Sequence, residues 1–460
     1  MPSSKPSKKA SASSIGGSSS TGYKKGPVTN GFRTILEDDP LKVDPENIAP
    51  FSLPAEAFQY EPTPEVMVTV FKTKDKERKI YCNTLLDQLE LDQLKKLQEE
   101  AEKQKLFFLP SITVMASRFL SRARGDPQQA IKLMLATQSW RLEFFKEGPV
   151  ADADILEDLK HGIVYFAGRD FALRPTIMVR ANRIPQQWYK EKRIDKLIKV
   201  LIFCMEYMLR YMVCPGRIEN NCLVVDLKGL SFWQVPISAL KEVYNVMSKH
   251  YIGRVFKFYI CNMSSGLSTI ASVAKAILTD RQQQKLNFID DLKVLRQDFA
   301  AHQLEEDLGG TRPVIKTFYP FPMQGGPYEA GASSGPSEDA IPDACKMITR
   351  AGAEGRLWDS TKTPEENSKM VYMSEAYEWF KENKLDIPAD CQRQRDAEED
   401  AAKAAEEAAK AKAEALANGE EIIDAQDEIE EPEEEEEEDM IILEPEVIKP
   451  NGLFCCCASS

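Results

Sequence analysis

Three histidines, His161, His250 and His302, are the only imidazoles in this chain of 460 residues. None has a Cys or His at zinc-ligand spacing, no GxxxxGKS/T stretch offers a phosphate cradle, and the GASSG at 331–335 stands in Pro- and Gly-rich sequence, not between a strand and a helix as a nucleophile elbow requires. An active site needs a nucleophile with a base, a metal cluster or such a cradle. Asp226, at the end of the apolar run 222–226, is the one carboxylate placed where α/β sheets carry out chemistry. A single Asp without a partner defines no reaction. Cys222 and Cys261 stand in apolar, strand-like runs and read as buried core thiols. Cys82, Cys204, Cys214, Cys345 and Cys391 are scattered without a CxxC pair, so no structural zinc is expected. The sequence therefore reads as non-enzymatic, with no metal and no cofactor.

The chemistry that remains is that of apolar surface. The chain is 43% hydrophobic and 9% aromatic, enough for a sizeable core. Its net charge of −14 is matched by residues 420–439, which hold fourteen Asp and Glu and no Lys or Arg. The remainder is neutral overall, which argues against a nucleic-acid-binding surface. The N-terminus has no apolar core for a signal peptide, and no run of eighteen apolar residues occurs, so a cytoplasmic location is expected.

Composition divides the chain. Residues 1–45, rich in Ser, Gly, Lys and Pro, read as disordered, and 46–83 as an irregular lead-in. Residues 84–149 read as a helical module: Leu86, Leu89, Leu94, Leu97 and Ala101 follow helical spacing behind a cap at Asn83 or Thr84. Asp126-Pro127 opens a second helix with apolar Ile131, Met134, Leu135, Leu142 and Phe145, ended by Gly148-Pro149. In 150–312, strand-like runs at 162–168, 175–181, 222–229 and 254–262 alternate with helical periodicity at 194–212, 236–249 and 266–279. Strand, helix, strand implies an α/β lobe with a mostly parallel sheet. Residues 313–394 read as linker with local structure. Residues 395–417 form a charged Ala-rich helix, and 418–460 an acidic tail ending in Cys455, Cys456 and Cys457.

Five segments, in order, resemble the CRAL-TRIO family of lipid-binding proteins, which includes phosphatidylinositol/phosphatidylcholine transfer proteins. They are RFLSRARGD (118–126) with AIKLMLATQSWRLEF (130–144), the Asp170 to Arg174-Pro175 turn, VDLKGLS (225–231), HYIGRVFKFYICN (250–262), and Lys285-Leu286 with LEEDLGGT (304–311). The resemblance covers about residues 84–312. It implies a cavity that encloses one lipid, floored by the sheet and closed by a gate helix. The gate falls on 266–279, with Leu267, Ile270, Ala271, Ala274, Ile277 and Leu278. A diacyl lipid hides roughly thirty CH₂ groups, worth about 25 kcal/mol at ~0.8 kcal/mol each, so its chains must be enclosed in water yet released at a bilayer.

The resemblance also implies head-group residues. Arg124 and Lys285 match the two basic positions of the family, and Ser231 a position lining the phosphatidylcholine site. Trp233 stands where a smaller residue is usual and reshapes that pocket. Gly253 replaces the family's glutamate, removing an acceptor for inositol hydroxyls.

At the tail, Cys457-Ala458-Ser459-Ser460 has the form of a prenylation box, although Ser459 is not aliphatic, and three adjacent cysteines are palmitoylation candidates. Two lipid chains anchor a protein stably where one does not. The expected function is enclosure of one phospholipid and its exchange at membranes. The alternative is a membrane-anchored scaffold or lipid sensor whose acidic tail recruits a basic protein partner.

Overall fold

Proline and small polar residues dominate the N-terminal stretch, yet its sparse apolar side chains are anchors. The computed structural model describes residues 23–336 apart from 27, 55, 72–75, 83, 192, 231–236 and 264–279, together with 381, 396, 399–400 and 402–411. Phe32 and Ile35 are buried against the helical module, with Phe32 edge-on to Phe108 at 5.9 Å. β1 (Leu41–Lys42) pairs in parallel with a strand more than one hundred residues on. Ile48, Ala49, Phe51 and Leu53 then enter the core of the lobe. The expectation of disorder over 1–45 is therefore corrected for 23–45: a handful of well-spaced apolar residues buries enough surface to order a polar strap. The lead-in ends in a small antiparallel hairpin of β2 (Val68–Val70) and β3 (Lys76–Arg78).

The helical module is α1 (Gln88–Lys103), α2 (Ala116–Arg122) and α3 (Pro127–Phe144). α1 is capped by Asp87 rather than Asn83 or Thr84. The Asp87 side chain accepts from the Glu90 N–H while the Glu90 carboxylate accepts from the Asp87 N–H, satisfying two orphan donors at once. α3 opens as the sequence predicts, with the Asp126 carboxylate accepting from the N–H groups of Gln128 and Gln129 behind Pro127. It closes at Phe144, four residues before Gly148. Its inner face is partly polar: Gln138 bridges Leu109 N–H and Phe107 carbonyl, and Arg141 pairs with Glu206 and Glu37.

β4 (Val150–Ala151) receives β1, and α4 (Asp152–Lys160) leads into the main sheet. Its strands are β5 (Val164–Arg169), β6 (Pro175–Arg180), β7 (Asn221–Asp226), β8 (Val255–Cys261) and β9 (Leu286–Ile289), in that spatial order. β5 and β6 are an antiparallel pair, and β6 to β9 run parallel. α5 (Ile194–Tyr211) and α6 (Ile237–His250) are the connections between the parallel strands. From Val200 to Leu209 every α5 side chain is buried and, Glu206 apart, apolar, because the helix is covered on all sides. The fifth strand, β9, extends the predicted sheet.

Residues 313–336 return across the lobe. Ile315, Tyr319, Phe321, Met323 and Tyr328 are buried, and Phe321 packs edge-on to Tyr207 at 4.8 Å. This portion of the expected linker is thus part of the core, held by aromatic residues among its Gly and Pro. Residues 402–411 are helical and exposed, with a Lys410–Glu406 pair at 2.7 Å; the rest of the expected charged helix lies largely outside the described residues.

Candidate functional site

Residues that face each other in a parallel ladder point to the same side of the sheet. One such row runs Val179, Val225, Ile260, Phe288 across β6 to β9, and the next runs Ile177, Leu223, Phe258, Leu286. All eight are apolar. Val179, Val225, Ile260 and Phe288, and Phe258 and Leu286 in the second row, are only partly buried. On the opposite face the central row is covered, with Met178, Val224 and Tyr259 2%, 0% and 3% exposed, while Asn287 at its β9 end is partly exposed. A central strand with one side chain fully covered and its neighbour still partly exposed presents an apolar floor. Water gains nothing there, and an apolar ligand that covers it contributes about 25 cal/mol per Å². Arg174, paired with Asp170 at 2.8 Å, lies over the Phe256 ring at 3.5 Å, where the pairing of β7 with β8 shifts register.

At the other end of the strands the polar groups are internally consumed. Arg180 donates to Asp226 at 2.6 Å, to Glu305 at 2.8 Å and to both carboxylate oxygens of Asp307 at 2.9 Å. Asp226 also accepts from Asn262 at 2.7 Å, and Tyr165 donates to Glu305 at 2.6 Å. Asp226, the one carboxylate the sequence offers for chemistry, is therefore a structural counter-ion. The histidines are far apart in role: His161 beside Trp188, His250 stacked on Trp140, His302 against the Gly325 carbonyl. Burial pushes the Cys261 thiol up to about 12 and raises those of Cys204 and Cys222, which are buried with it. Among the described residues, no group of three or more His, Cys, Asp or Glu could hold a metal ion. Nor is any helix among them long and apolar enough to cross a membrane.

The predicted head-group residues fall in different environments. Arg124 sits exposed in the turn after α2, with a positive φ of 56°. That turn is close to the stretch before Lys285, because Arg281 donates to the Ser121 carbonyl at 3.2 Å. Lys285 itself is nearly buried and donates to Glu77 at 2.9 Å, a partner from the lead-in hairpin. Gly253 has a φ of 68°, and a Cβ there would lie 3.1 Å from Arg118 Nη1. Its carbonyl accepts from Arg118 and Asn220. The turn thus favours glycine for conformational and steric reasons together. Ser231, Trp233, the gate residues of 266–279 and Cys455 to Cys457 lie outside the described residues. Sequence reasoning missed Glu77 and Lys79. The signal was an i, i+2 alternation in KERK, where Glu77 and Lys79 turn inward while Lys76 and Arg78 do not.

A parallel-containing sheet with one apolar, partly open face defines the α/β lobe. Residues 159–310 match the family described as the CRAL/TRIO domain. The chain is similar to a Sec14 cytosolic factor of Schizosaccharomyces pombe, 22% identical over 207 residues that span 42% of this chain and 72% of that protein. It is 27% identical to the SEC14 cytosolic factor of Kluyveromyces lactis over 212 residues, 43% of this chain and 70% of that one. A crystal structure of Sfh5 superposes with 51% of this chain and 91% of its own, at 15% identity and a TM-score of 0.39. The CRAL-TRIO resemblance read from the sequence is thus borne out over residues 159–310.

Proposed function

We propose that the chain encloses one glycerophospholipid against the β6 to β9 face and exchanges it at membrane surfaces. The observation that carries this is the pair of neighbours on β7: Val224 sealed on one side, Val225 partly exposed on the other, in the middle of an apolar row four strands wide. Relatives carry the name cytosolic factor, which fits a protein that meets membranes from the cytosol. On this reading the Cys455 to Cys457 cluster, once acylated, tethers the lobe near its donor membrane, with the acidic run as spacer.

The test is native mass spectrometry of the purified full chain, followed by incubation with phosphatidylcholine vesicles carrying a labelled lipid. One phospholipid per chain that turns over into the vesicles supports carriage. A bound lipid that never exchanges supports the anchored sensor instead, and an empty folded lobe defeats both readings.

A further inference from the structure

Lys285 does not face an open pocket; the chain supplies it with a counter-ion. Its Nζ donates to Glu77 Oε1 at 2.9 Å, and Lys79 Nζ lies 2.6 Å from Glu77 Oε2. The side chains of Lys285, Glu77 and Lys79 are 11%, 10% and 2% exposed. Two ammonium groups under cover thus share a single carboxylate. Among the described residues Glu77 is the one carboxylate that meets the buried Lys79 Nζ, in an ion pair poorly aligned for a hydrogen bond. Burial, reinforced by repulsion from Lys285, draws Lys79 well below the usual lysine range. Two buried lysines that share one acid lack the second negative charge that would hold both protonated, and phosphate, with several acceptor oxygens and at least one negative charge, matches what is lacking.

We propose that Lys79 and Lys285 form a latent site for a phosphate-bearing anion, which Glu77 keeps filled with the chain's own carboxylate. The backbone that carries Glu77 is held on several sides. Arg78 donates to Glu90 at 2.6 Å, Arg281 donates to the Lys76 carbonyl at 3.1 Å, and Arg118 donates to the Lys79 carbonyl at 3.2 Å. The switch is therefore the Glu77 side chain and not the hairpin. Glu77 and Lys79 lie outside the matched domain, so this stopper is an addition from the lead-in. While Glu77 is ionised, a phosphate must displace a tethered competitor, and the site discriminates against anionic head groups. The lipid arm of this proposal rests on the lipid-binding reading; the phosphate arm does not.

The experiment compares the full chain with Glu77→Gln, reading thermal unfolding as inorganic phosphate is added against chloride at matched ionic strength. Glu77→Gln is expected to bind phosphate about tenfold more tightly than the wild type, and the gain is lost in Glu77→Gln/Lys285→Met. Should Glu77→Gln not fold, Glu77→Gln/Lys79→Met keeps Lys285 as a lone ammonium and still responds more than the wild type. In the second arm, each protein is incubated with phosphatidylcholine vesicles containing phosphatidylinositol and its bound lipid is extracted. A severalfold rise in the phosphatidylinositol share of Glu77→Gln identifies a lipid head group as the source of the anion, whereas a response to inorganic phosphate alone identifies free phosphate. Equal phosphate responses of wild type and Glu77→Gln, or a gain that survives loss of Lys285, overturn the site. A phosphate response without any bound lipid leaves the site standing and removes the lipid-binding reading.

Discussion

Arg118 on α2 and Glu219, just before β7, meet at 2.6 Å with each side chain 3% exposed. This pair joins the helical module to the lobe. Glu219 also accepts from the N–H groups of Tyr81, Cys82 and Gly216. Burial alone would raise its pKa, but the Arg118 and Arg254 charges and these N–H groups outweigh burial and hold the carboxyl below its usual range. Arg254, buried and repelled by Arg118, is drawn down to about 9. Removing the shared acid is more costly than removing one base. Glu219→Gln is expected to lose about 3–5 kcal/mol in urea unfolding, and Arg118→Met less. Equal losses would mean that Arg254 takes no support from Glu219.

Arg180 holds three carboxylates that belong to β7 and to the turn at 305–307. Arg180→Met strips the buried Asp226 and Glu305 of their cation and is expected to cost about 3–5 kcal/mol. Asp307, at 22% exposure, can turn to water, so Asp307→Asn is expected to cost no more than about 1 kcal/mol. Denaturant midpoints of the two variants test the ranking.

Trp140 and His250 stack with centroids 4.3 Å apart and planes 3° from parallel. Burial, with Lys249 and Arg141 nearby, lowers the His250 pKa to about 4. A base whose folded pKa is depressed disfavours protonation in the fold, so its contribution is complete above the unfolded value of about 6.5 and is lost as pH falls from there toward about 4. The loss is at most about 3.5 kcal/mol, at ~1.4 kcal/mol per pH unit. His250→Gln is expected to flatten the pH dependence of the urea midpoint in that window; an unchanged slope would remove His250 as its origin.

Periodicity made the lobe legible. The α5 stripe from Ile194 and the strands at 164–169, 175–180, 221–226 and 255–261 follow from local pattern, because a helix or buried strand writes its burial into adjacent residues. The straps at 23–53 and 313–328 did not show, since their anchors, Phe32, Phe51, Tyr319 and Phe321 among them, are isolated within Pro- and Gly-rich sequence. The candidate site was half legible. An apolar floor follows from β-rich runs, but the Glu77–Lys285 contact joins positions 208 residues apart, and nothing local encodes it. Gly253 shows the same limit: its sequence context suggests a lost ligand, whereas its φ and the approach of Arg118 give the turn its own demand for glycine.

The two faces of β7 give a paired test. Val224→Ala removes two methyl groups' worth of packing from a sealed side and is expected to cost about 2 kcal/mol without changing lipid load. Val225→Asp places a charge on the floor and is expected to empty the lobe of lipid in native mass spectrometry. A Val225→Asp protein that folds and still carries lipid would move the ligand away from this face.

Asp152, the first residue of α4, accepts from the Asp44 N–H at 3.2 Å, from Asn47 Nδ2 at 2.8 Å and from the Tyr319 hydroxyl at 2.9 Å. The first two partners leave the ribosome before Asp152, and the third long after it. N-terminal segments ordinarily settle as they emerge, but here the part of the early strap around Asp44 and Asn47 has no completed surface to settle on until Tyr319 and Phe321 arrive. Maturation of the lobe is therefore deferred to the end of its synthesis, and the nascent chain must shield its aromatic residues by other means until then.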